Sequence, residues 1–170
     1  MSNSVGSSSA LSNIVIRNAQ IDDCELIKSF IQQLADYEKM PDDMVATVQD
    51  LEQTLFGDKR YAEVVIGELD GEAVGFALFF HNYSTFLGKP GIYLEDLFVL
   101  PAVRGKKVGK ALLVHLAKIA VERNCARFEW SVLDWNQPAI DFYRSIGAVG
   151  MEEWTVQRVD GEQLNLLAQM

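Results

Sequence analysis

Residues 95–110 read Glu-Asp-Leu-Phe-Val-Leu-Pro-Ala-Val-Arg-Gly-Lys-Lys-Val-Gly-Lys, and this stretch decides the fold of the chain. It begins with an acidic pair on an apolar run that is typical of a buried strand, and it continues as a basic, glycine-containing loop that opens a helix. Loop N–H groups and the positive end of a helix dipole together form a seat for a phosphorylated ligand. The segment therefore predicts an anion site with a carboxylate beside it.

The chain before this segment predicts strands, helices and a hairpin. A short β-branched strand at 14–17 precedes a helix capped by Asp22, and a second, shorter helix starts at Thr47. Two β-rich runs at 61–68 and 72–80 are joined by Leu-Asp-Gly, a strong hairpin signal.

The chain after this segment continues the same alternation. The segment itself contains the end of a strand at 92–100 and the start of a long helix, and another strand follows at 128–133. Asn136 is the predicted cap of the next helix, and two short strands around Asp160-Gly161 are expected to end the chain. The order predicts one α/β domain of the α+β type, with a single mixed, mostly antiparallel sheet flanked by helices.

Composition narrows the function classes. The chain has 170 residues, 49% of them hydrophobic, and a net charge of −9 that argues against nucleic acid or an anionic membrane surface and suits a cationic ligand. No apolar run approaches a membrane span, and two cysteines with two histidines give no metal pattern. The Ser-rich residues 1–13 are predicted to be a disordered tail, which leaves 14–170 as the domain of a cytoplasmic protein.

The loop is the first candidate site. Four cations cluster within seven residues of an otherwise acidic chain, and they surround two glycines that let the backbone curl around an anion: Arg104, Lys106, Lys107 and Lys110, with Gly105 and Gly109. The alternative interpretation is a solvated basic helix start.

Three separated motifs carry a family resemblance. Residues 104–109 resemble the pyrophosphate-binding loop of the GCN5-related N-acetyltransferases (GNAT), Gln/Arg-x-x-Gly-x-Gly/Ala, with Lys107 at the position of the middle glycine. Residues 93–99 and 134–143 resemble the spermidine/spermine acetyltransferase branch, which includes thialysine and small-diamine acetyltransferases. The match runs from about Ile14 to the C-terminus. It implies the GNAT fold, acetyl-CoA as co-substrate and no metal.

Acetyl transfer explains two residues in these motifs. An alkylamine, with a pKa of about 10.4, must lose a proton before it attacks a thioester, and the departing sulfur benefits from gaining one. The resemblance assigns Tyr143 as the acid on the sulfur side. Glu95 is the predicted proton acceptor, directly or through water, or the group that holds the cationic amine. Because Glu95 and Asp96 are adjacent on a strand, only one of them is expected to face a given cleft.

The resemblance also implies the binding residues. Those for acetyl-CoA are Leu97, Phe98 and Val99 on the strand, Arg104, Gly105, Lys106, Lys107, Val108, Gly109 and Lys110 in the loop, and Asn136, Pro138 and Ala139 at the next helix start. Those for the amine are Tyr37, Glu38, Glu95, Glu152, Glu153 and Trp154. Trp130 is a further candidate for the amine, although residues 128–131 differ from those of the polyamine enzymes and leave polyamine specificity open. The alternative interpretation of these residues is a solvated acidic surface. The choice between Glu152 and Glu153 stays open.

The expected activity is N-acetylation of a small di- or polyamine, or of a lysine-like amino acid, by direct transfer in a ternary complex. A homodimer is expected, with the apolar strand 164–167 compatible with its interface. Protein or peptide N-acetylation on the same fold is the second hypothesis. A non-catalytic acyl-CoA-binding module is the third, and the joint presence of Glu95 and Tyr143 speaks against it.

Overall fold

The computed structural model describes residues 13–170, which divide into two compact units, residues 13–131 and residues 132–170. The predicted tail lies outside the described residues except for Asn13. The backbone N–H of Asn13 donates to the Asp70 carboxylate at 2.8 Å, and the N–H of Asp70 donates to the Asn13 carbonyl at 2.8 Å. Asn13 is therefore attached to the first hairpin.

A five-stranded mixed sheet forms the centre of the first unit. Its strands lie in chain order: β1 (Ile14–Asn18), β2 (Glu63–Leu69), β3 (Glu72–Ser84), β4 (Lys89–Val99) and β5 (Phe128–Trp130). The first four are antiparallel neighbours and β5 runs parallel to β4. The β2–β3 turn has positive φ at Asp70 (55°) and Gly71 (89°), as a type I′ hairpin turn requires. The predicted sheet and hairpin are confirmed.

Helices α1 (Cys24–Tyr37), α2 (Val48–Leu51) and α3 (Val108–Glu122) belong to this unit. The predicted cap at Asp22 is wrong, because a 3₁₀ turn precedes α1 and its capping box joins Gln20 to Asp23. The Asp23 carboxylate accepts from the Gln20 N–H at 2.7 Å and from Arg17 at 2.7 and 2.9 Å. Thr47 and Asp50 cap α2, so Thr47 begins that helix as predicted.

Apolar side chains of α1 and α3 pack on the sheet. The Phe30 ring of α1 stacks on Phe76 at 5.7 Å and lies 6.1 Å from Phe98, and all three are buried. Burial of one such side chain contributes about 1.5–3 kcal/mol. Helix α3 buries five residues along one side: Val108, Leu112, Leu113, Leu116 and Ala120. Phe98 thus anchors the second half of β4 in the core.

Strand β4 has two irregularities. Its register with β3 shifts so that Leu78 faces Asp96 and Phe79 faces Leu94, which makes Glu95 the extra residue of a β-bulge. Pairing with β5 ends where Leu94 faces Trp130, although β4 continues to Val99. Within the described part of the chain, residues 95–99 therefore have one edge without a strand partner.

The second unit contains α4 (Gln137–Ser145) and α5 (Gly161–Leu167). The expected strands around 160–161, and the expected interface strand at 164–167, are wrong, because residues 155–160 form no regular element and α5 begins at Gly161. No strand forms among the described residues 132–170, so a strand here would leave its peptide groups unpaired, whereas a helix pairs them internally. None of the helices in residues 13–170 combines the length and apolar character that crossing a membrane requires.

Candidate active site

The open edge of β4 leads directly into the basic loop. Phe98 points into the core, and the partly buried Leu97 and Val99 flank it. An extended ligand can add to such an edge by pairing with main-chain groups, as peptides do in β-augmentation. The predicted strand residues for acetyl-CoA therefore lie on a backbone edge that is available for this mode of binding.

Two left-handed residues curl the loop before α3. Gly105 has φ of 84°, and Lys107, the residue before the first turn of α3, has φ of 70° and ψ of 6°. Lys107 thus keeps the backbone conformation that glycine favours, although it carries a side chain. A Cβ added at Gly109 would meet Val99 Cγ2 at 3.7 Å, an ordinary contact that leaves room for alanine.

The loop supplies donors and charge for a pyrophosphate. The first N–H groups of the 15-residue helix α3 have no partner within the helix. The exposed side chains of Lys106, Lys107 and Lys110 lie at or just before this helix start. Unpaired N–H groups, a helix dipole and three cations match the chemistry of a diphosphate, so the loop fits the phosphate end of acetyl-CoA.

Replacing Lys107 with glycine is expected to raise the free energy of unfolding by about 0.5–1 kcal/mol, because glycine adopts the left-handed conformation without the Cβ clash. The matched control is Lys106→Gly. Lys106 carries the same charge but has no positive φ, so glycine there is expected to lower the free energy of unfolding by about 0.5–1 kcal/mol. Urea unfolding of both variants measures the difference, and equal values would contradict the strain at Lys107.

Three carboxylates interact at the bulge. Burial first, and then the negative charges of Glu95 and Glu38, raise the pKa of Asp96 to about 6. Burial also raises the pKa of Glu38, the residue that follows α1. Glu95 is exposed on the bulge, which interrupts the strand alternation at this point. Asp96 therefore lies close enough to Glu95 and Glu38 for their charges to act on its carboxylate.

Asp96 is the functional candidate that the sequence reasoning missed. Strand alternation alone favours Glu95 over Asp96, since a β-bulge is not visible in the sequence. The usable signal was the acidic pair itself, placed within an apolar run. A carboxylate whose pKa is raised to about 6 is a stronger base than an ordinary aspartate, and a cation bound beside it would favour its ionised form.

Two other residues predicted to bind the amine lie near these carboxylates in the first unit. Tyr37 ends α1 and immediately precedes Glu38. Trp130 ends β5 opposite Leu94, one residue before the bulge, and its ring centroid lies 4.9 Å from that of Phe128.

The remaining predicted residues belong to the second unit. Asn136 is the residue immediately before α4. Its carbonyl accepts hydrogen bonds from the N–H groups of Ala139 and Ile140 at 3.1 and 3.0 Å. Pro138 lies in the first turn of α4, and the Tyr143 ring centroid lies 5.6 Å from that of Phe142. Three further residues follow α4 in sequence, and their binding role stays a prediction: Glu152, Glu153 and Trp154.

Across residues 13–170, the His, Cys, Asp and Glu side chains form no group of three that could hold a metal ion.

Comparison with known proteins identifies the family of the chain. The profile of the Acetyltransferase (GNAT) family matches residues 28–148. Thialysine N-epsilon-acetyltransferase of Sus scrofa is 34% identical over 169 residues, covering 93% of this chain and 99% of that protein. L-ornithine N5-acetyltransferase of Arabidopsis thaliana is 32% identical, and the match covers 89% of this chain and 86% of that protein. The structure of a Vibrio cholerae integron cassette protein superposes with a TM-score of 0.78 at 30% identity, and the match covers 92% of this chain and 98% of that protein. The loop, the sheet and these matches together show that the chain belongs to the GNAT family and is an acetyl-CoA-dependent N-acetyltransferase.

Proposed function

We propose that the enzyme acetylates a primary amine of a small di- or polyamine or of a lysine-like amino acid, by direct transfer in a ternary complex. The observation that carries this proposal is the group of carboxylates Glu38, Glu95 and Asp96 at the bulge of β4. Such a group attracts a small cation. The names of the thialysine and ornithine relatives support the same substrate class.

Acetyl-CoA supplies the acetyl group as a thioester. Main-chain groups of Leu97, Phe98 and Val99 would pair with its extended arm, since this edge of β4 has no strand partner among the described residues. The loop from Arg104 to Lys110 would hold the pyrophosphate. At the start of α4, the residues proposed to contact the arm are Asn136, Pro138 and Ala139.

The carboxylates would serve the amine in two ways. Glu38 and Asp96 hold the cation, and Tyr37, Trp130 and Trp154, with Glu152 or Glu153, would line the amine chain. Glu95 accepts the amine proton, directly or through water, because the amine must be neutral to attack. Tyr143 donates a proton to the departing sulfur, a role that suits a hydroxyl that remains protonated at neutral pH.

We also propose that residues 14–170 act as one acetyltransferase domain, since the family profile spans residues of both units. The proposed assembly is a cytoplasmic homodimer. The apolar residues Leu164, Leu166 and Leu167 of α5 offer a surface for self-association. Size-exclusion chromatography with light scattering tests this assembly.

Thiol release from acetyl-CoA tests the substrate class. The panel is spermidine, putrescine, diaminopropane, thialysine, ornithine and a lysine peptide. We expect release with at least one free amine and little with the peptide. Release with the peptide alone would favour protein N-acetylation, and no release with any amine would favour an acyl-CoA-binding module.

A further inference from the structure

The side chain of Arg104 does not share the setting of the loop lysines. Its guanidinium carbon lies 4.6 Å from the ring centroid of Tyr37 and 5.9 Å from that of Phe98. Its Nε donates to the carbonyl of Val99 at 3.2 Å. Arg104 therefore links three elements of the first unit: the basic loop, the end of β4 and the last residue of α1.

These three elements carry different parts of the proposed site. Arg104 directly precedes Gly105, whose left-handed backbone shapes the loop. Val99 ends the open edge of β4. Tyr37 directly precedes Glu38, and the charge of Glu38 acts on Asp96. The guanidinium thus connects the side that would bind CoA to the side that would bind the amine.

We propose that Arg104 is a positioning residue that couples the two sides: the Tyr37 ring holds Arg104, and Arg104 holds the loop in the conformation that binds CoA. Both effects rest on the proposed function: the effect of Tyr37 on CoA affinity rests on the loop as the CoA site, and the coupling rests on the carboxylates as the amine site. Because coupling between two sites is reciprocal, CoA raises amine affinity by the factor by which the amine raises CoA affinity.

The expected size follows from the contact. A guanidinium stacked on a tyrosine at an exposed position corresponds to about a two- to fivefold change in an equilibrium constant. Tyr37→Leu removes the ring, and we expect it to weaken CoA binding by about that factor although Tyr37 lies outside the loop. Tyr37→Phe keeps the ring and is expected to retain the wild-type affinity.

A double-mutant cycle tests the link. Isothermal titration calorimetry gives the Kd of CoA for the wild type, Tyr37→Leu, Arg104→Gln and the double variant. If the ring acts through the guanidinium, the double variant binds CoA no more weakly than Arg104→Gln alone. The proposal would be overturned if the change in Kd of the double variant equalled the product of the two single-variant changes. An unchanged Kd in Tyr37→Leu would also overturn it.

Two further measurements separate the outcomes. Tyr61→Leu is the matched control, since Lys59 lies 4.9 Å from the Tyr61 ring centroid in a contact outside this site, and its Kd for CoA should equal that of the wild type. The CoA titrations are then repeated with saturating spermidine and with saturating thialysine. A spermidine or thialysine effect that disappears in Arg104→Gln supports the coupling, and one that persists there overturns it. If neither amine changes the wild-type Kd for CoA, the coupling to the amine is overturned. The double-mutant cycle on CoA binding still tests the contact between Tyr37 and Arg104.

Discussion

Replacing Tyr143 with phenylalanine is expected to lower kcat by about 100-fold or more, the size usual for loss of a general acid. The departing sulfur would then have to leave as a thiolate without a proton from the enzyme. CoA binding is expected to stay within about twofold of the wild type, because the phenyl ring preserves the shape of the side chain. Steady-state kinetics gives kcat, and calorimetry with CoA gives the affinity.

The matched control for Tyr143→Phe is Tyr83→Phe. Tyr83 is 60% exposed near the end of β3, and no role in the site is proposed for it. Its substitution should leave kcat unchanged. A Tyr143→Phe enzyme whose kcat lies within threefold of the wild type would remove the hydroxyl from the acid role.

Replacing Asp96 with asparagine is expected to lower kcat/KM for the amine by about 10- to 100-fold. The variant loses a charged partner for the cation, a contact of about 1.5–3 kcal/mol. The same substitution should raise the free energy of unfolding at pH 7 by about 1–2 kcal/mol, since it removes a partly buried carboxylate beside two other acidic groups. A gain in stability with a loss of activity is the expected pairing at a functional site.

The pH dependence of stability tests the same group. Burial raises the pKa of Asp96 from 3.8 to about 6, so the folded state binds this proton more tightly than the unfolded chain. The contribution of Asp96 to the free energy of unfolding therefore falls as the pH rises from about 4 to about 6, by about 2–3 kcal/mol. This decrease should be absent in Asp96→Asn, and wild-type kcat/KM for the amine should fall as the pH drops below about 6.

The control for Asp96→Asn is Asp58→Asn, an exposed aspartate in the loop before β2. Urea unfolding between pH 4 and pH 7 should give the wild-type pH profile for Asp58→Asn. If Asp96→Asn also shows that profile, the raised pKa of Asp96 would be refuted. If Asp96→Asn keeps wild-type kcat/KM, Asp96 has no part in holding the amine.

Local patterns predicted much of the first unit. The Leu69-Asp70-Gly71 turn, the start of α2 at Thr47 and the long helix after the basic loop all depend on neighbouring residues, and the structure confirms each of them. The predicted strand at 164–167 is wrong because an apolar run of this length is too short to distinguish a strand from a helix. A strand exists only if a partner pairs with it, and local sequence does not contain that information.

The sequence by itself determined the basic loop, the acidic pair and the order of the motifs, because these depend on residue types and spacing. Tertiary structure decided three further features. It placed Lys107 in the left-handed conformation, made Glu95 a bulge with Asp96 partly buried beside it, and stacked Arg104 on Tyr37. The bulge and the Arg104–Tyr37 contact depend on pairing or contacts between different segments of the chain. Burial in the folded protein raises the pKa of Asp96, and the fold brings Tyr37 to Arg104.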